Sequence, residues 1–477
     1  MPALPADVFF DSASGLNARL LKREFTAHEL ASAFCSRLER IGPRYNALAL
    51  LLRDPALKKA SRVDAEFKRE RTRGPLQGVP YGVKDLLSVA GVRTTWGAAP
   101  FRDQVFPEDA TVIRKLAGAG AVLCAKLSMV ELAGGGGYRY ASASLTGPGL
   151  NPWDPTRWSG GSSSGSAAAV AAGLVPFALG SETLGSIGTP CAYCGVTGLR
   201  PTYGLVSRAG AMALSWTMDK IGPIARTAAD CGHILRVIAG GDLDDPGSAG
   251  RSFYFLPDLG PPLSSLKLGY ASSDTESMAE PALRPALRDA LGVFREIGFQ
   301  MKEAELPEFP YGAMGEVIIG AEGATVFADL IESEAVEQLA DARQVAGLRA
   351  ALEIPARDYL QAMRVRRRLC DDMAKLLIDL DLLVSPARFS VAPKITEPLD
   401  SPAAPAAAQT DRGLRALSAA GNLAGLPALF LPCGFAEGLP VGIMLVGKPF
   451  SENLLLRAGL EFQRRTNWHE RRPVIQY

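Results

Sequence analysis

Histidine is scarce in this chain: His28, His233 and His469 are the three among 477 residues. That leaves little room for chemistry using imidazole as base or metal ligand. A charge of one sign is also missing. Fifty-one Lys and Arg offset 50 Asp and Glu to a net +1, which gives no electrostatic reason for a nucleic-acid partner or an anionic membrane surface. No apolar run reaches the ~20 residues that span a bilayer; the longest, 167–180, contains Pro176. The opening MPALPADVFFDSASGLN lacks the basic-then-apolar order of a secretory signal. The seven cysteines are odd in number and scattered, arguing against a disulfide framework and for a reducing, cytoplasmic setting. The one close pair, Cys191 and Cys194, has no second pair or histidine couple beside it. It reads as two buried thiols, not half a zinc site.

Glycine is in excess: 49 of 477 residues, against a usual share of about 7%. Hydrophobic residues at 47% and charged residues at 21% describe a globular chain. Residues 26–41 carry apolar side chains at helical spacing behind Thr26, and 55–73 form a charged helical pattern. From 74 to 210 short apolar runs such as 119–125 and 175–179 alternate with Gly/Ser/Ala stretches, which indicates α/β organisation. Residues 241–265 read as loop, 266–270 and 381–384 as strands, and 423–446 as two core strands. Residues 281–297, 321–350 and 356–380 have helical patterns. Length alone allows about three domains. With no repeat and no clean linker, one large domain with a variable second half is expected.

The densest motif is WSGGSSSGS at 158–166, before an Ala-rich helix. It resembles a phosphate cradle but lacks the Gly-Lys-Ser/Thr ending. Its GxSxG match would make Ser163 the nucleophile of an α/β-hydrolase elbow, which needs a later acid and histidine. Only His233, in an apolar helical stretch, and His469, in a basic segment, follow it. A buried lysine is the other way to activate a serine, because burial disfavours its charged form. Lys84 lies in such a place, inside the apolar run GVPYGVKDLL. An ion pair with Asp85 is the plain alternative, although neighbours on a strand face opposite ways. A third motif, GSETLGSIG at 180–188, follows an apolar run. A turn there would present backbone N–H groups beside Ser186, the geometry of an oxyanion hole.

Lys84, the Ser162 cluster and Ser186 together resemble the amidase signature family. GVPYGVKD resembles its lysine strand, NPWDPTRWSGGSSSGSAAAVAAG its Gly/Ser signature, and GSETLGSIGTPCAYCGVTGLRPTYGLVS its nucleophile region. GAVLCAKLSMVELA and NLAGLPALFLPCGFAEGLPVGIMLVGKPF are similar to a further strand-plus-loop and to its closing strands, and Ser162 and Ser186 stand 24 residues apart, as in the family. The resemblance implies an α/β fold: a single large three-layer α/β/α domain, 1–477, around a mixed, mostly parallel sheet. Its parts would be a helical N-terminal segment 1–73, a signature core 74–245, a variable substrate-side half 246–400 and closing core strands 401–477. By the same resemblance Ser186 is the acylated nucleophile, Ser162 the bridging serine after a cis peptide, and Lys84 the terminal base. The N–H groups of Thr183, Leu184, Gly185 and Ser186 would hold the oxyanion. Ala133 and Gly134 open the stretch AGGGGYRY that borders the substrate channel, and Asp154 and Arg157 would hold the signature loop. No metal and no cofactor is implied.

Several positions depart from the family pattern. Leu184 replaces a glycine and narrows the site, Glu182 replaces an Asp, and Ser128 replaces an Asn. Gly188 replaces an Arg, which removes a cation and opens space. Met212, Leu214 and Trp216 form either an apolar wall of the channel or ordinary core. The expected activity is hydrolysis of small apolar or aromatic amides through an acyl-enzyme, with esters and carbamates open to the same attack. The expected partner is that small-molecule substrate, with no nucleic acid, no membrane and a homodimer as the assembly. The alternatives are a glutaminase-like subunit of a tRNA-dependent amidotransferase, which feeds ammonia to partner chains, an α/β-hydrolase esterase using Ser163, and a non-catalytic binding protein.

Overall fold

The computed structural model describes residues 4–399 and 413–475; the ends of the expected segments 1–73 and 401–477, and residues 400–412 between them, lie outside the described residues. The strands are β1 (Leu48–Leu51), β2 (Pro80–Lys84), β3 (Val122–Leu127), β4 (Leu150–Asn151), β5 (Asp154–Trp158), β6 (Phe177–Glu182), β7 (Thr197–Arg200), β8 (Lys220–Ala225), β9 (Lys267–Tyr270), β10 (Gln300–Glu303), β11 (Leu382–Pro386), β12 (Ala428–Ala436) and β13 (Leu439–Gly447). Eleven of them form one sheet in the order β1-β3-β2-β6-β8-β7-β12-β13-β11-β9-β10, with β4 and β5 apart as a ribbon. Helices cover both sides, which is the expected three-layer α/β/α arrangement. One continuous apolar core runs from Val8 to Phe462. No described helix is long and apolar enough to cross a membrane.

The sheet is mixed, but not mostly parallel as expected. Four neighbour pairs are parallel, β3–β2, β2–β6, β11–β9 and β9–β10. The other six are antiparallel. The reason is local at β12–β13, where Ala436 pairs with Leu439 and leaves Glu437-Gly438 as a two-residue turn with φ of 54° and 79°. Positive φ at both positions is the hairpin turn whose twist matches its strands. β2, by contrast, lies between two parallel neighbours with all five residues buried, which is why it reads as a continuous apolar run.

The helix Ala27–Ile41 begins where its sequence says it should. Thr26 and Glu29 close a capping box. The helical pattern of 55–73 is realised as Arg53–Lys68. The pattern of 321–350 is broken into Tyr311–Val326, Ala328–Glu332 and Ala342–Ala351. Gly312, Gly315 and Gly320 thin the apolar periodicity at the true start, and Asp341 caps a separate helix by accepting from the Arg343 N–H.

Candidate active site

Lys84 ends β2 with none of its surface exposed. Its Nζ donates to Ser162 Oγ at 2.7 Å and to Ser181 Oγ at 2.9 Å. Burial pushes the Lys84 pKa down to about 7, while the Asp219 and Glu182 charges pull it back up. The ion pair with Asp85 is not formed. Asp85 faces the other way and pairs with buried Lys126 at 3.0 Å. Ser181 is a lysine partner that sequence reasoning missed; it stands on β6, beside β2, and only that strand pairing identifies it.

The Gly161–Ser162 peptide is cis. Gly160 before it has φ of +86°, and a Cβ there would stand 2.6 Å from Pro190 Cα, so the turn accepts only glycine. The Ser162 carbonyl accepts from the Val130 N–H at 3.1 Å, and the Ser163 N–H donates to the Ser186 carbonyl at 3.3 Å. Ser163 itself is fully buried. Its hydroxyl donates to the Ser181 carbonyl at 3.2 Å and accepts from the Ser181 N–H at 3.3 Å, stapling the loop to β6. This overturns Ser163 as an exposed elbow nucleophile. The histidines are elsewhere: His233 packs edge-on against Phe255, His469 lies in the short turn Trp468–Glu470, and His28 lies in the helix Ala27–Ile41.

Ser186 follows β6 on a turn anchored by Glu182. That fully buried carboxylate accepts from Arg200 Nη1 and Asn422 Nδ2 at 2.8 Å each, and from the N–H groups of Ile187 and Gly188 at 2.8 and 2.9 Å. Burial alone would raise its pKa; the Arg200 and Lys220 charges and the amide bonds outweigh that and lower it. Gly185, with φ of +107°, makes the turn. Among the described residues no acceptor takes the N–H groups of Thr183, Leu184, Gly185 or Ser186. On the far side Thr183 Oγ1 donates to Asp219 at 2.6 Å, and Lys220 Nζ donates to Asn422 at 2.8 Å. Of this frame, sequence reasoning found only the Glu182 substitution. No hydroxyl–hydroxyl hydrogen bond joins Ser162 to Ser186; the two loops meet through backbone.

Ser186 opens onto a cavity of about 340 Å³, lined among others by Ala133, Gly134, Tyr138, Gly161, Leu184 and Arg388. Leu184 thus sits over the site, 39% exposed. Gly188 opens no space: a Cβ there would meet the Phe430 ring at 2.4 Å. Of the expected wall, Leu214 reaches this cavity, whereas Met212 and Trp216 line an adjoining one of about 300 Å³. The rim is tied across the fold. Glu131 accepts from the Ala340 and Asp341 N–H groups, and Asp341 accepts from those of Arg139 and Tyr140. Arg157 donates to the Ala392 carbonyl at 3.0 Å and stands 3.8 Å from Asp154, so this pair holds the ribbon outside the reacting groups. Cys191 and Cys194 are buried free thiols. Ser128 donates to the Asn46 carbonyl.

The family model for Amidase matches residues 29–456. The chain is 37% identical to a Glutamyl-tRNA(Gln) amidotransferase subunit of Moorella thermoacetica, over 98% of this chain and 99% of that protein. Among solved structures it is similar to the native peptide amidase of Stenotrophomonas maltophilia, with 30% identity, TM-score 0.85 and coverage of 98% and 99%. It is also similar to the corresponding Glutamyl-tRNA(Gln) amidotransferase subunit of Thermotoga maritima, with 27% identity, TM-score 0.81 and coverage of 99% of each chain.

Proposed function

The chain belongs to the amidase family, and from that premise we propose that it cleaves carboxamide C–N bonds with Ser186 as nucleophile, Ser162 as bridge and Lys84 as base. The observation that carries this reading is the 2.7 Å contact from Lys84 to Ser162 in a site where burial holds the lysine near neutrality. Neutral Lys84 takes the Ser162 proton as Ser162 takes that of Ser186. Ser186 Oγ bonds to the carbonyl carbon, and the free N–H groups of Thr183–Ser186 receive the oxyanion. The proton returns through Ser162 to the leaving nitrogen, the C–N bond breaks, and an acyl-Ser186 ester remains. Water then enters by the same relay and frees the acid. The missing Ser162–Ser186 hydrogen bond is one that substrate binding closes, as catalytic hydrogen bonds often tighten only in the complex.

For the amide itself, relatives matching nearly end to end, such as the amidotransferase subunit of Moorella thermoacetica, support a glutaminase-like amidotransferase component over hydrolysis of small apolar amides. In that role glutamine is the amide and partner chains receive the ammonia. A free-standing amide hydrolase is the second reading, favoured by Leu184, Leu214 and Ile319 in the cavity wall and by the 30% identity to a peptide amidase. The test is release of ammonia from glutamine, with and without partner chains, beside hydrolysis of an aryl anilide. Glutamine turnover without anilide cleavage supports the amidotransferase role, and the reverse supports the free-standing enzyme. In either assay Ser186→Ala is expected to lower the rate at least about 10³-fold with folding unchanged; retained activity would remove Ser186 from the mechanism.

A further inference from the structure

The cavity that holds Ser186 has one charged residue among its described lining, and it is a cation. Thr183, Ser186, Thr189 and Tyr138 supply neutral polar groups and the remainder is apolar or glycine, leaving Arg388. Arg388 lies two residues beyond β11. Its neighbours are pinned, Ala387 by its N–H to the Gly442 carbonyl at 2.9 Å and Phe389 by its carbonyl to the Glu280 N–H at 2.9 Å. The side chain is held at its inner end: Nε donates to the Tyr193 hydroxyl at 3.2 Å, and the guanidinium stands 5.6 Å from that ring's centroid. No carboxylate pairs with it among the described residues, and the residue is exposed in the cleft.

A positioned guanidinium, unneutralised and without a second charge among the described lining of the cleft, is matched by a planar anion, which its two terminal nitrogens can grip as a fork. Tyr193 lies near the end of the helix Gly188–Cys194, which starts two residues after Ser186. At 1.5 Å per residue the guanidinium's anchor is roughly 8 Å along that helix from its start. Ser186 and Arg388 line the same cavity of about 340 Å³, room for a small amide that also carries a carboxylate. We propose that Arg388 is the specificity-determining residue of this site and that the substrates are amides carrying a carboxylate. The inference rests on the amide-hydrolase reading and narrows it; glutamine belongs to the class, and apolar amides do not.

The experiment compares succinamate with butyramide, its uncharged counterpart, for the wild-type chain, Arg388→Gln and Arg388→Lys, and measures succinate binding by calorimetry. Wild type is expected to prefer succinamate, with Arg388→Gln shrinking the ratio of the two kcat/KM values about 10- to 100-fold, mainly through KM. Arg388→Lys, which keeps the charge without the fork, falls between. Succinate binding weakens by a similar factor in Arg388→Gln. An unchanged ratio, or equal loss on both amides with succinate binding intact, overturns the proposal and leaves the hydrolase reading standing. If neither amide is turned over by wild type, the hydrolase reading fails for these substrates and succinate binding decides. Binding lost in Arg388→Gln upholds the carboxylate site; binding absent from wild type, or equal in both, overturns it.

Discussion

Lys84 shows how one residue's surroundings set its chemistry. The unfolded chain holds this amine near 10.5, whereas burial brings it to about 7 in the folded protein. The unfolded state therefore binds more protons between those values, and stability withheld by burying the amine is recovered as pH rises through that window. In the proposed mechanism the neutral form is the base. The kcat/KM for an amide is expected to rise about tenfold per pH unit below pH 7 and to level above it, with one ionisation near 7. A profile flat from pH 5 to 9 would exclude Lys84 as base. Lys84, Ser162 and Ser186 were legible because each sits in a local pattern that is costly without purpose: a cation in an apolar run, or serines among glycines. Ser181, Asp219, Arg200 and Asn422 carry no such mark, since their roles come from partners brought together by strand pairing and packing. Arg388 was equally silent: SPARF reads as any strand end.

Among the elements, those with local chemistry at their ends were readable. The helix behind Thr26 announces its start, and Glu29 completes the capping box there. The helix Tyr311–Val326 did not, because glycine lowers helix propensity and blurs the periodicity. The helix Gly188–Cys194 carries the sharper lesson. Gly188 read as space left by a lost cation, yet its missing Cβ is filled by Phe430 of β12. Gly188→Ala is accordingly expected to destabilise the fold by about 1–3 kcal/mol through overpacking, and Gly188→Arg by more. Denaturant unfolding measures this, and unchanged stability in both would mean that Phe430 yields freely.

At the scale of the whole molecule the cleft is assembled from distant chain. Its rim joins Glu131 to Ala340 and Asp341, and Asp341 to Arg139 and Tyr140, contacts across about 200 residues of sequence. Asp341→Ala frees that loop and removes a helix cap. It is expected to raise KM several-fold with kcat little changed, and to cost about 1–2 kcal/mol of stability. Steady-state kinetics separate the two effects; a fall in kcat alone would place Asp341 nearer the chemistry. By itself the sequence determined the family and the α/β class and singled out the lysine and the two serines proposed for the site, because each depends on residues close together in the chain. Only the tertiary structure decided the antiparallel majority in the sheet, the rejection of Ser163, the Glu182 frame and the single cation among the described lining of the cleft. These depend on which strands pair and which side chains meet, and contacts between segments far apart leave no periodicity in either one.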